Sequence, residues 1–145
     1  MNCKLRTKYG FTLIEVLMAM VLVALAITSL FAAAKSFTSV NAAGSESTTA
    51  EFLIEQIREL TTMTGYDNLY SYDGVNYSPP HNTAGAPLNN FAAYTQQVTV
   101  ENVSDTNFEL VVPDHTSSFV RVTVKILLNS KEITSESWIR ANIGS

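Results

Sequence analysis

Residues Phe11 to Ala34 form an apolar stretch of 24 residues that contains one charged side chain, Glu15. Nothing else in the chain constrains its fold as strongly. At 1.5 Å rise per residue a helix of this length covers about 36 Å, enough to span a bilayer with some tilt. A carboxylate inside such a helix costs about 2.5–3.5 kcal/mol on insertion scales, so Glu15 needs a partner or a task. The stretch is preceded by a leader, Met1 to Gly10, with Lys4, Arg6 and Lys8 and no acid. Under the positive-inside rule that leader stays on the cytoplasmic side.

The order of these parts separates the segment from a secretory signal peptide. There the cleavage site follows the apolar region. Here the small, flexible Gly10 precedes it. Glycine offers a protease an unhindered backbone. The run Gly10-Phe11-Thr12-Leu13-Ile14-Glu15 followed by an apolar helix closely resembles the class III signal of type IV prepilins and pseudopilins. The resemblance covers about the first 35 residues. It implies that a membrane prepilin peptidase cuts after Gly10 and methylates the new amino terminus of Phe11. It also implies that the apolar helix stays on the mature chain, with Glu15 as its fifth residue.

A chain of 145 residues leaves room for one small domain beyond a membrane helix. Removing the leader removes three positive charges and takes the formal net charge from −4 to −7. That acidic balance disfavours nucleic acid, whose backbone is held by clustered Lys and Arg. The single cysteine, Cys3, lies in the leader, so no disulfide is expected in the mature domain.

Lys35 is the first charge after Glu15 and is expected to mark the outer membrane boundary. From Thr48 to Met63 the pattern is amphipathic: Glu51, Glu55 and Glu59 share one face, and Ala50, Leu53, Ile57 and Leu60 another. The pattern predicts one long helix from about Phe11 to Met63, loosened near Gly44. Thr48 with Glu51 fits a capping box, and Thr64-Gly65 a stop. Residues 65–93 read as an irregular, turn-rich loop, with Tyr66, Tyr70, Tyr72 and Tyr77 as a candidate partner-binding cluster.

From Tyr94 onward apolar residues alternate. Gln96, Val98 and Val100 predict one strand, Phe108, Leu110 and Val112 a second, Val120 to Leu128 a third, and Ile133 to Ile143, with Trp138, a fourth. Asn129-Ser130-Lys131 reads as a hairpin loop. The expected fold is α+β and pilin-like. The first half of a long helix spans the membrane. The second half packs its Leu53/Ile57/Leu60 face on a four-stranded antiparallel meander, in a soluble domain over 36–145.

No catalytic set is visible, and no enzyme or cofactor is expected. His81 and His115 have no carboxylate or cysteine at ligand spacing, and His115 beside Asp114 reads as a turn after Pro113. Asp67 and Asp73 fit no EF-hand spacing, which favours turn chemistry over calcium. The resemblance implies a structural subunit, a minor pilin or pseudopilin. It would be held in the inner membrane with its carboxyl-terminal domain periplasmic, then assembled with other pilins into a pilus or secretion pseudopilus. Glu15 would pair with the charged amino terminus of Phe11 on a neighbour. Two departures from major pilins point to the minor class: no carboxyl-terminal cysteine pair, and Ala32 where many major pilins carry a helix-kinking proline. The alternatives are a tip adhesin or DNA-uptake subunit using the tyrosine loop, and an anchored domain that enters no filament.

Overall fold

The computed structural model describes residues 10–142. The leader residues Met1 to Tyr9, with Lys4, Arg6 and Lys8, and the predicted strand end at Ile143 lie outside the described residues. One helix, α1, runs over Leu13–Met63 and passes through Gly44 without interruption. The chain divides into two units, one ending at Ala43 and one beginning at Gly44.

In the first unit the helix carries no buried residue, and its most apolar 18-residue window has a mean hydropathy of 2.6. It is long and apolar enough to cross a membrane. Four hydroxyls on it are satisfied locally. Thr28, Ser29, Thr38 and Ser39 each donate to a backbone carbonyl three or four residues back. Such back-bonding lets hydroxyls sit in apolar surroundings without a partner.

The second unit is a helix-on-sheet layer. Strands β1 (Asn76–Tyr77), β2 (Tyr94–Val103), β3 (Phe119–Leu128) and β4 (Lys131–Ala141) form an antiparallel sheet in chain order. Asn129 and Ser130 join β3 to β4 with φ of 49° and 69°. Both central residues are left-handed, as a type I′ hairpin demands. The ladder steps from Ile126↔Thr134 to Leu127↔Glu132, which leaves Ile133 as a bulge. Val98, Val100, Val120, Val122, Val124 and Ile126 point to one face and are buried against Ala50, Leu53, Ile54 and Ile57 of α1. Burying each large aliphatic side chain stabilises the domain by about 1.5–3 kcal/mol. This is the α+β, pilin-like arrangement expected from the alternation, with the helix face that the heptad-like spacing indicated.

Three local expectations fail. Phe108 to Val112 is not a strand. Only a Val103↔Val111 bridge and the bonds Ser104 N to Leu110 O (2.9 Å) and Val112 N to Asn102 O (3.0 Å) form there. Three alternating apolar residues between Asn107 and Pro113 are too few to sustain a ladder. Thr48 caps no helix start, because its hydroxyl donates back to Gly44 O at 3.0 Å inside α1. The segment 65–93 also holds more order than its turn residues imply. It contains 3-10 helices at Tyr66–Tyr72 and Asn89–Phe91 and the two-residue strand β1 that completes the four.

Candidate processing and assembly segment

Helix α1 begins one residue after Thr12, whose side chain makes the start. Thr12 Oγ1 accepts from Glu15 N at 3.3 Å, and Thr12 O accepts from Glu15 N and Val16 N at 3.1 and 3.2 Å. Thr12 is therefore the N-cap and Glu15 the third helical residue. Thr-x-x-Glu at a helix start is half of a capping box. The motif sought at Thr48–Glu51 is thus realised at Thr12–Glu15. The sequence signal for Thr12 was present, a Thr-x-x-Glu ahead of an apolar run, but it lay inside a longer motif read for cleavage.

This cap fixes what surrounds it. Gly10 and Phe11 lie before the helix and are exposed, Phe11 at 83%. The Gly10–Phe11 bond is therefore exposed, non-helical backbone. A Cβ added to Gly10 would meet no atom within 4 Å. The fold of the described chain places no steric demand for glycine there. Glu15 is exposed in the first turn, where the positive end of the helix dipole favours an acid. Gly10 and Phe11 thus lie just before the helix and Glu15 in its first turn.

The four loop tyrosines are half-buried and pack against the core. Tyr66 meets Tyr70 edge-on at 6.3 Å, and Tyr70 lies 4.4 Å from the ring of His115. Tyr72 Oη is 3.4 Å from Thr64 Oγ1, while Tyr77 stacks on His81 at 4.2 Å. Burial, with Tyr66 close by, pushes the Tyr70 hydroxyl up to about 12, and burial also raises Tyr77. His115 occupies the turn after Pro113, with φ of 62° and the bond Thr116 N to Pro113 O at 3.2 Å. Asp73 serves the sheet: its carboxylate accepts from Val100 N at 2.9 Å. Among the described residues no three of His, Cys, Asp and Glu converge.

Two buried amides hold the loops. Gln96 and Asn102 are in phase with Val98 and Val100 on β2, and both are fully buried. Gln96 Oε1 accepts from His81 N at 2.7 Å, and its Nε2 donates to Leu53 O and His81 O at 2.9 and 3.1 Å. Asn102 Oδ1 accepts from the Tyr70 hydroxyl at 2.7 Å and from His115 N. Its Nδ2 donates to Ser117 O and Phe119 O at 3.2 and 2.9 Å. A polar residue on the inward phase of a strand was the readable signal for both.

Residues 5–31 match the prokaryotic N-terminal methylation motif, the prepilin-type signal of type IV pilins and pseudopilins. No curated protein and no solved structure matches the chain. The matched segment carries a prepilin-type signal, and the helix-on-sheet layer has the α+β, pilin-like arrangement.

Proposed function

We propose that this chain is a minor pilin or pseudopilin. A prepilin peptidase removes Met1 to Gly10 and methylates Phe11. The mature chain waits in the inner membrane with its carboxyl-terminal domain in the periplasm, then joins other subunits in a pilus or secretion pseudopilus. The observation that carries this reading is the uncovered apolar helix headed by Gly10, Phe11, Thr12 and Glu15, inside the segment that matches the methylation motif.

The chemistry of assembly follows from Glu15. Its carboxylate makes no ion pair with any described residue. In a helical bundle it meets the charged amino terminus of Phe11 on the neighbouring subunit. Opposite charges attract far more strongly in a low dielectric than in water. Desolvation offsets much of that gain, so the pair chiefly selects one axial register. Ala19, Ala24, Ala26 and Ala32 to Ala34 supply the close approach that helices need.

Replacing Glu15 with valine tests this. The variant is expected to insert in the membrane and be processed, yet to disappear from sheared filaments or the assembled fraction. Assembly of Glu15→Val at wild-type level would remove the proposed role.

A further inference from the structure

The two edges of the sheet are treated differently. On β2 the outward-facing residues from Gln96 to Asn102 each have a partner. β1 pairs with Gln96 and Gln97, Val75 O takes Val98 N at 2.9 Å, the Asp73 carboxylate takes Val100 N, and Val112 N reaches Asn102 O. β4 forms the other edge over its 11 residues. The ladder fixes which of its groups are open. Even-numbered β2 residues face away from β3, so odd-numbered ones bond it. Through Thr99↔Thr123 and Val122↔Trp138, the even-numbered β4 residues bond β3. The N–H and C=O groups of Ser135, Ser137, Ile139 and Ala141 therefore point outward, and no described residue bonds to them.

Natural edge strands are guarded by charges, prolines or bulges. On β4 the bulge at Ile133 guards one end only. Lys131 lies at the hairpin end, and the charges further along are engaged: Glu132 with Lys125 at 3.6 Å, Glu136 with Arg58, and Arg140 with Thr61 O and Thr64 O. The side chains flanking the open groups are small or apolar.

We propose that β4 is a strand-addition site for an edge strand of a different subunit in the same assembly. This rests on the assembly reading above. A second copy of this chain is the wrong partner: among the described residues the other sheet edge, β1, is two residues long, so the one long open edge is again β4 and that contact closes on itself. Local neutrality selects an uncharged strand, polar beside Ser135 and Ser137 and apolar beside Ile139. Backbone hydrogen bonds supply the affinity, as in other strand additions.

The test compares full-length wild type, Ser137→Ala and Ser137→Pro in the native host. Proline removes one outward N–H and is tolerated on edge strands. Wild type and Ser137→Ala are expected to enter the assembled fraction equally, and Ser137→Pro at least ten-fold less. In wild type, the amides of Ser137 and Ile139 should exchange about 100-fold more slowly in the assembled form than in the detergent-solubilised chain. Equal entry of Ser137→Pro, or unprotected amides in the assembled form, would overturn strand addition and leave the assembly reading standing. Absence of wild type from the assembled fraction would overturn both. A disulfide-linked homodimer of Cys3→Ser/Ser137→Cys would overturn the choice of a different subunit.

Discussion

Gln96 on β2 donates its side-chain amide to the backbone carbonyl of Leu53 on α1 at 2.9 Å. The same side chain closes two bonds with His81, so one buried amide ties helix, sheet and loop together. Replacement by leucine leaves the part-buried His81 N–H without its partner. The expected cost is about 1–3 kcal/mol, read as a lower denaturant midpoint from the fluorescence of Trp138. Gln96→Glu should cost more at neutral pH, since a carboxylate would face two carbonyls. Its loss should shrink at low pH, where the introduced acid is protonated.

Asn102 uses both lone-pair directions and both amide hydrogens, and it is the one side chain bonded to the 3-10 helix at Tyr66–Tyr72, to His115 and to the approach to β3. Asn102→Ala should destabilise the domain by about 2–3 kcal/mol. It should also speed hydrogen exchange over residues 104–118 more than in the sheet. Tyr70→Phe removes one of these bonds, and a smaller loss of about 1 kcal/mol is expected.

Arg140 reaches from β4 to Thr61 O and Thr64 O, beside the last turn of α1, which holds no basic residue of its own. The guanidinium bonds terminal carbonyls and opposes the negative end of the dipole. Arg140→Ala should lower stability by about 1–2 kcal/mol. Arg140→Lys should restore only part, because an ammonium lacks the planar fork.

Tyrosine titration gives a pH prediction with a definite sign. Tyr70 is raised from 10.0 to about 12, and Tyr77 is raised as well, both chiefly by burial. The folded state holds these protons after the unfolded chain has released them. Their contribution is complete below pH 10; that of Tyr70 is lost as pH rises from 10 towards 12, and that of Tyr77 as pH rises above 10. Stability should be flat across neutral pH with respect to these groups and fall through that window. In absorbance titrations these two hydroxyls should ionise above pH 10.

Much of this architecture was legible in residue order. The 24-residue apolar stretch announced the first part of α1, and the phases of Leu53/Ile57 and of Val120 to Ile126 announced the core they share. The proposed processing residues stand out in the sequence because the methylation motif is local. What escaped depends on contacts distant in sequence. The order in 65–93 and 104–118 comes from Gln96 and Asn102, whose partners lie up to 43 residues away. β1 is two residues long and exists only because Gln96 and Gln97 lie beside it. Thr12, not Thr48, became the N-cap because α1 continues through Gly44.

The central claim is that the chain is matured at Gly10–Phe11. The most direct test is the intact mass and amino-terminal sequence of the membrane-extracted protein, from cells with and without the prepilin peptidase. The account predicts a chain that begins at N-methylated Phe11, found only when the peptidase is present. A chain that keeps Met1 to Gly10 in both strains would contradict it.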